Sequence, residues 1–527
     1  MKRSFLHLLI LLAFCLPLFF LNLGGWDLWN PDEPRYAEVA REMMIGRNWL
    51  IPHLNGETYY DKPPMFFWLI AMASRLMGRV DATSARLPSA FFGLMTVICV
   101  YLLGRKIRDA KAGLLSGLVL ATSVEYFWLA RRANIDATLT FFVTLSILLF
   151  LKGMEAKKGK TAFFSLSYLS LAFGFLTKLY PALIVFVLAI GPFVLYRRKI
   201  KLLLSSHHLV GLLGFIIPIG LWLYLVLYLE GPEYMEGLFW HKTASTFLKA
   251  YGHDRPFYYY LYNFPVDFLP WSVFLPLAFF RAWKEKERLL LPLGWFVLGF
   301  LFFSLSKAKR ELYLLPLYPS ASLLVGACLG NGVTLRTLFK ITGILLLTTA
   351  ACLWAFLPKA KAYLPNALEG AVFLSLLCAV GGTLVLLFTR KAQYEKGTFA
   401  IALTGFALYM YLVFHVLPQI NPYKSWRPFS EKVLHVMERG DKLAVYRLQG
   451  AELNFYTGIV PIRRIYDPRE LLEELGKGPL VCVIRKKDLQ EVVEKGAKVK
   501  VVFEQKVGGK ELSVVTNKEE KDAGTTP

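Results

Sequence analysis

The sequence predicts a mainly α-helical polytopic membrane protein ending in a small soluble α/β domain, and three observations carry this. Of 527 residues, 55% are hydrophobic and only 19% charged, against about 25% charged in an ordinary soluble chain. The charge is also segregated: residues 419–527 hold 36 charged side chains, 20 basic and 16 acidic, while the first 418 hold 63. Finally, the basic residues fall in short clusters between apolar runs, as membrane topology requires, and not along one stripe. The net charge of +23 therefore does not point to nucleic acid. A cytosolic multidomain enzyme, a disordered chain and a disulfide-rich secreted domain are excluded.

Membrane spans need roughly 17–25 mainly apolar residues. Such runs fall at 5–23, 85–104, 112–131, 134–152, 161–178, 180–196, 208–229, 264–282, 289–306, 311–330, 337–357, 369–389 and 397–418. The first follows Met-Lys-Arg-Ser and is as long as a span, with no small-residue cleavage site after it, so it is expected as an uncleaved helix. The segment 64–78 is apolar but short, and charge places it. If it lies at the interface, the clusters Arg105–Lys111, Lys152–Lys160, Arg197–Lys201, Arg281–Arg288, Arg336–Lys340 and Arg390–Lys396 share one side with Lys2 and Arg3. If it crosses, they do not. The expectation is about thirteen spans with the N-terminus cytoplasmic and the C-terminal domain outside. None of the six cysteines forms a ligand pair, and they read as small buried hydrophobes.

The tail opens with Pro418, Pro422 and Pro428 as a linker. A helix near 430–438, strands near 442–448 and 479–485, a helix near 468–476 and a hairpin 498–516 turning at Gly508-Gly509 follow. The domains are thus 1–418 in the membrane, with outer loops 24–84 and 230–263, and 419–527 outside.

Ionisable residues concentrate in the outer loops. Asp32 and Glu33 precede Pro34, an arrangement that suits a capped helix start, but charge this dense beside lipid also suits a functional site. Asp61 and Lys62 precede the short apolar segment, where Asp61 reads equally as a helix cap. Asp136 lies in a tight turn on the same side. The cluster Lys307, Lys309 and Arg310 breaks the charge rule and reads either as snorkelling cations or as an anion site. Three acids with these cations and Arg35 suit glycosyl transfer from a lipid-linked sugar phosphate. Carboxylates stabilise oxocarbenium character or act as base, and cations hold the departing phosphate. No nucleotide-binding loop occurs.

Asp32-Glu-Pro-Arg-Tyr-Ala-Glu, Tyr59-Tyr-Asp-Lys-Pro-Pro, Ala85-Arg-Leu-Pro-Ser-Ala, Asn134-Ile-Asp-Ala-Thr-Leu, Ser306-Lys-Ala-Lys with Tyr313-Leu-Leu-Pro, and Glu452-Leu-Asn-Phe-Tyr-Thr-Gly resemble the bacterial branch of the glycosyltransferase family 39 superfamily. That branch contains the lipid A aminoarabinose transferases, related to the protein O-mannosyltransferases. The resemblance implies a GT-C fold, a polyprenyl-phosphate sugar donor such as undecaprenyl phosphate, a lipid A or other glycan acceptor, and inversion at the anomeric carbon. It implies catalytic roles for Asp32, Asp136 and Asp61. Arg35, Lys62, Lys307, Lys309, Arg310 and Tyr313 are expected at the donor phosphate, and Glu33, Tyr36, Tyr59 and His241 at the substrate. The family usually has Glu where Asp61 stands, so a divalent cation there stays open; no other cofactor is expected. The chain is expected as a monomer in the bacterial inner membrane. A protein O-mannosyltransferase-like enzyme is the alternative within the class, and a transporter or flippase the alternative outside it. The topology has a direct check: single cysteines at Arg108 and Lys510, in a cysteine-free background, should label from opposite faces of the membrane.

Overall fold

The computed structural model describes residues 2–239, 254–329 and 333–518. Among the described residues eight helices are long and apolar enough to cross a membrane, or up to ten if two bent helix pairs each count as one span. The helices used below are α1 (Lys2–Phe20), α2 (Glu33–Gly46), α3 (Met65–Met77), α4 (Ala82–Ile107), α5 (Ala110–Thr122), α6 (Val124–Ala130), α7 (Ile135–Glu155) and α8 (Lys160–Lys178). Every expected span coincides with helix, but α1 and Tyr180–Tyr196 are shorter apolar helices, and α8 is not among the qualifying spans. The expected spans 112–131 and 264–282 are broken: α5 and α6 meet at 72°, and Tyr259–Asp267 meets Trp271–Lys284 at 113°. At the first break Ser123 takes an extended backbone. With 13 residues, α3 reaches only about 20 Å and cannot span the hydrocarbon.

The tail carries a five-stranded mixed sheet, β1 and β2 being the small outer hairpin described below. Its strands are β3 (Lys442–Tyr446), β4 (Arg463–Ile465), β5 (Leu480–Arg485), β6 (Lys500–Val507) and β7 (Lys510–Thr516), in the order β4-β3-β5-β7-β6. β4 and β5 run parallel to β3, and the hairpin β6–β7 pairs antiparallel to β5. Apolar residues on both faces of the sheet make two cores. The proline linker is a correction: Leu417–Lys424 is helical, with Pro418 at its start and Pro422 inside, continuing the last span. Cys352 is also a correction, being exposed while the other five cysteines are buried.

The first outer loop is held from two directions. β1 (His53–Leu54) and β2 (Glu57–Thr58) form a hairpin whose turn residues, Asn55 at φ 64° and Gly56 at φ 76°, both take the left-handed backbone such a turn needs. The tail closes on this turn. Buried Asn55 accepts from the Ile462 amide at 2.7 Å and from Asn454 Nδ2 at 2.7 Å, and donates to the Ile462 carbonyl at 2.9 Å. Tyr456 donates to the Leu28 carbonyl at 2.9 Å, and Asn421 accepts from the Trp29 indole at 2.8 Å.

From the membrane side, Arg86 of α4, wholly buried, donates to the carbonyls of Leu23, Trp26 and Asp27 at 2.7–3.0 Å and to both oxygens of Glu33 at 2.8 and 3.0 Å. Glu33 also accepts from the amides of Trp29 and Ala133 and from Arg132. Burial works to raise the Glu33 carboxyl, yet the Arg86 and Arg132 guanidiniums hold it down, to about 2. Its carboxylate is a framework tie, and the residue also lines the cavity beside Asp32. Removing one partner of such a pair leaves a buried charge alone and costs about 3–5 kcal/mol. Glu33→Ala should therefore lower the thermal unfolding midpoint of the purified protein sharply, whereas Glu57→Ala at the exposed hairpin rim should not.

Candidate active site

Asp32 occupies the N-cap position of α2 but its side chain caps nothing. The carboxylate instead lies between two guanidiniums, at 2.6 Å from Arg35 Nη2 and 2.8 Å from Arg310 Nη2, and is buried. Burial alone would raise its pKa; the Arg310 and Arg35 charges outweigh that and hold the carboxyl below its ordinary value. Arg35 also faces Asp61 at 4.0 Å, and its buried Nε–H has no acceptor among the described residues. Asp61 is not a cap either, because α3 starts after Pro64 without a side-chain cap. Neither acid is spent on a helix end.

Asp136 sits in the first turn of α7, fixed by Asn134, which accepts from its amide at 2.8 Å. Its Oδ1 accepts a short hydrogen bond from Lys178 at the end of α8, and its buried Oδ2 has no partner among the described residues. The Lys178 ammonium lies over the Tyr313 ring, 4.4 Å from its centre. Lys62, half-buried, feels both Asp61 and Asp136; burial and the nearby Lys178 charge bring its pKa down to about 8. Tyr36 likewise lies within electrostatic reach of Asp32 and Asp136. Tyr36 and Tyr59 pack edge-on against Phe67, making an aromatic wall under the charges.

The structure thus brings Asp32, Arg35, Asp61, Lys62, Asp136, Arg310 and Tyr313 to one cluster. The basic cluster after 306 divides. Arg310 reaches Asp32, but Lys309 turns its ammonium to the carbonyls of Arg255 and Ser306, and Lys307 is exposed. Lys309 thus ties its own loop to the Arg255 backbone. His241 lies outside the described residues. Lys178 is the side chain the sequence reading left out, and its signal was a cation at the end of an apolar helix. Among the described residues no three His, Cys, Asp or Glu side chains come together as a metal ion needs. Arg35 and Lys62 beside Asp61 are a poor setting for a cation, so the residues present do not fit a metal there.

Such a cluster can hold an anionic headgroup through guanidinium and ammonium donors while carboxylates face an electron-poor carbon. A cavity of about 270 Å³ opens beside it, lined by Asp32, Glu125, Trp128, Arg132, Arg310 and Glu311 among others.

The family model for dolichyl-phosphate-mannose-protein mannosyltransferases matches residues 61–224. An undecaprenyl phosphate-α-4-amino-4-deoxy-L-arabinose arabinosyl transferase of Pseudomonas aeruginosa strain UCBPP-PA14 is 32% identical over 373 residues, 68% of this chain and 67% of the relative. Its counterpart in strain LESB58 is 32% identical over 67% of this chain and 66% of its own length. The chain therefore spans about two thirds of the length of these curated transferases. An uncharacterized protein of Aquifex aeolicus is 32% identical over 88% of this chain and 89% of its own. The crystal structure of ArnT from Cupriavidus metallidurans bound to undecaprenyl phosphate superposes with a TM-score of 0.79, covering 97% of this chain and 98% of that one at 20% identity, a likeness of fold. With motifs, fold and relatives in agreement, the chain belongs to the glycosyltransferase family 39 superfamily, in the GT-C branch of the aminoarabinose transferases.

Proposed function

We propose that this multi-pass membrane protein transfers a sugar from an undecaprenyl-type polyprenyl phosphate to an envelope acceptor, on the periplasmic face of the bacterial inner membrane. In this topology the N-terminus is cytoplasmic and the sheet domain periplasmic. The observation that carries the reading is Asp32, buried between Arg35 and Arg310 with Lys62, Asp61 and Asp136 around it. The donor phosphate meets Arg35, Lys62, Arg310 and Tyr313, with Lys178 behind them, and its polyprenyl tail lies along the apolar helices. The acceptor oxygen attacks the anomeric carbon as the bond to the phosphate oxygen breaks, and the leaving phosphate carries away the electron pair, so configuration inverts.

The depressed pKa of Asp32 bears on the acceptor. A carboxylate gripped by two guanidiniums is a weak base, poorly suited to deprotonating a serine, threonine or sugar hydroxyl. It is well suited to stabilising positive charge on the sugar while an acceptor that is already ionised attacks. A phosphate of lipid A is such an acceptor, and this favours lipid A over protein. The named relatives support the donor class, being undecaprenyl phosphate-aminoarabinose transferases.

Asp32→Asn should abolish transfer, by at least about 100-fold, in proteoliposomes supplied with donor and lipid A, in protein shown to be folded at the assay temperature; substantial turnover would remove Asp32 from the chemistry. The pH dependence follows from Lys62. With its pKa near 8, the ammonium is present below that value and lost as pH rises through it. A phosphodiester donor whose sugar carries no free amine does not titrate there, so its affinity should fall between pH 7 and 9. In Lys62→Arg, whose guanidinium stays charged, that fall should vanish.

A further inference from the structure

The end of the bundle away from the candidate site carries two basic segments that the fold joins. The helix Tyr180–Tyr196 leaves the site just after Lys178, and the helix Lys286–Leu305 returns to it just before Ser306. At 17 and 20 residues, their far ends stand about 25–30 Å away. The first far end carries Arg197, Arg198, Lys199 and Lys201, and the second Lys286 and Arg288. Arg197 donates to the Glu287 carbonyl at 2.6 Å, which ties one segment to the other. Among the described residues none of these six cations pairs with an acid, whereas in the adjacent loop Lys106, Arg108 and Lys111 each do. Of the two acids at hand, Glu285 faces Arg108 and Glu287 is exposed. The first segment is also strained. Lys199 donates back to the Val194 carbonyl and Arg198 to that of Leu195, the paired bonds that end many helices. The left-handed position in that motif suits glycine, yet Arg198 holds it at φ 51° with its side chain exposed.

Apolar side chains lie among these charges. Ile200–Leu204 makes a short 3-10 turn with no buried residue, and Leu204 is 76% exposed. Trp283 is 65% exposed, with the Lys286 ammonium 3.7 Å from its ring centre. Such side chains are costly in water and favoured where acyl chains meet headgroups. A soluble anion would answer the cations and leave the leucines wet. A zwitterionic lipid would cover the leucines and bring no net charge. An anionic glycerophospholipid does both. We infer that Arg197–Lys201 and Lys286–Arg288 together form a binding surface for an anionic phospholipid. Its phosphate lies among the cations, and its acyl chains lie against Ile200, Leu203, Leu204 and Trp283. In the topology proposed above this lipid belongs to the cytoplasmic leaflet, across the membrane from the site of transfer. The surface goes beyond the transferase reading and does not depend on its chemistry.

The test counts lipids bound to the purified full-length protein by native mass spectrometry, with dioleoyl phosphatidylglycerol and dioleoyl phosphatidylcholine titrated separately. The wild type should bind phosphatidylglycerol about tenfold or more tightly than phosphatidylcholine. The triple variant Arg198→Gln, Lys199→Gln and Lys201→Gln should bring the two affinities within about twofold of each other. Lys286→Gln with Arg288→Gln, on the other segment, gives the same readout should the triple variant fail to fold. Lys157→Gln with Lys158→Gln and Lys160→Gln removes equal charge from another basic loop at the same end, and should leave the preference intact. The cluster around Asp32 is unchanged in every variant, so any lipid it holds cancels in the comparison. Equal affinities in the wild type overturn the inference. An equal loss in the Lys157 triple overturns it too, in favour of diffuse attraction to a basic face. Displacement of the lipid by glycerol 1-phosphate overturns it in favour of a soluble anion. A protein that turned over no sugar donor would sink the transferase reading and leave this measurement standing.

Discussion

The loop after α1 and the face it lies on are organised around the buried pair formed by Arg86 and Glu33. Sinking two charges into a low-dielectric interior is tolerable only when every remaining donor and acceptor is matched, and here the match is supplied by backbone. Three carbonyls of the 23–27 stretch saturate the guanidinium, and two amides, Trp29 and Ala133, complete the carboxylate. The pair therefore dictates the path of the loop as well as pinning it. With Glu33 turned to α4, its neighbour Asp32 presents its carboxylate elsewhere, to Arg35 and Arg310. Two adjacent acids of similar chemistry acquire separate duties because one partner lies on α4.

The charges of the cluster are balanced in a way that keeps it responsive. Arg35 and Arg310 satisfy themselves on Asp32 and Asp61 in the absence of a ligand, yet Arg35 keeps a buried donor in hand and Asp136 keeps a bare oxygen. On the proposed function, an arriving phosphate would compete with carboxylates for guanidinium donors that are already oriented, so little reorganisation would be needed. Lys62 is different: crowded by Lys178 and burial, its proton is held loosely, which makes it the part of the cluster most sensitive to the surroundings.

Much of this was legible in the sequence because membranes impose strong rules. Long apolar runs marked the helices, and the pattern of Lys and Arg separated the short α3 from the spans. Alternation and the Gly508-Gly509 turn marked the hairpin β6–β7. Asp32, Arg35, Asp61 and Arg310 were identifiable because dense charge beside lipid is costly. What escaped depended on partners remote in sequence. Nothing near Glu33 announces Arg86, and nothing near Lys309 distinguishes it from Arg310; only the carbonyls of Arg255 and Ser306 do. The breaks in two spans, and the helical course through Pro418 and Pro422 inside the helix that continues the last span, are tertiary outcomes that run against local preference.

The grip of the tail on the first loop has a consequence for how the protein is made. Leu28, Trp29 and Asn55 find their partners in Tyr456, Asn421, Asn454 and Ile462, some four hundred residues later. During synthesis the loop that bears Asp32 must wait, without those bonds, until the last fifth of the chain has been translated and delivered to the same side. A ribosome that stops early leaves this loop fastened on the membrane side alone, by Arg86 and Glu33. The second clasp exists only once the polypeptide is complete.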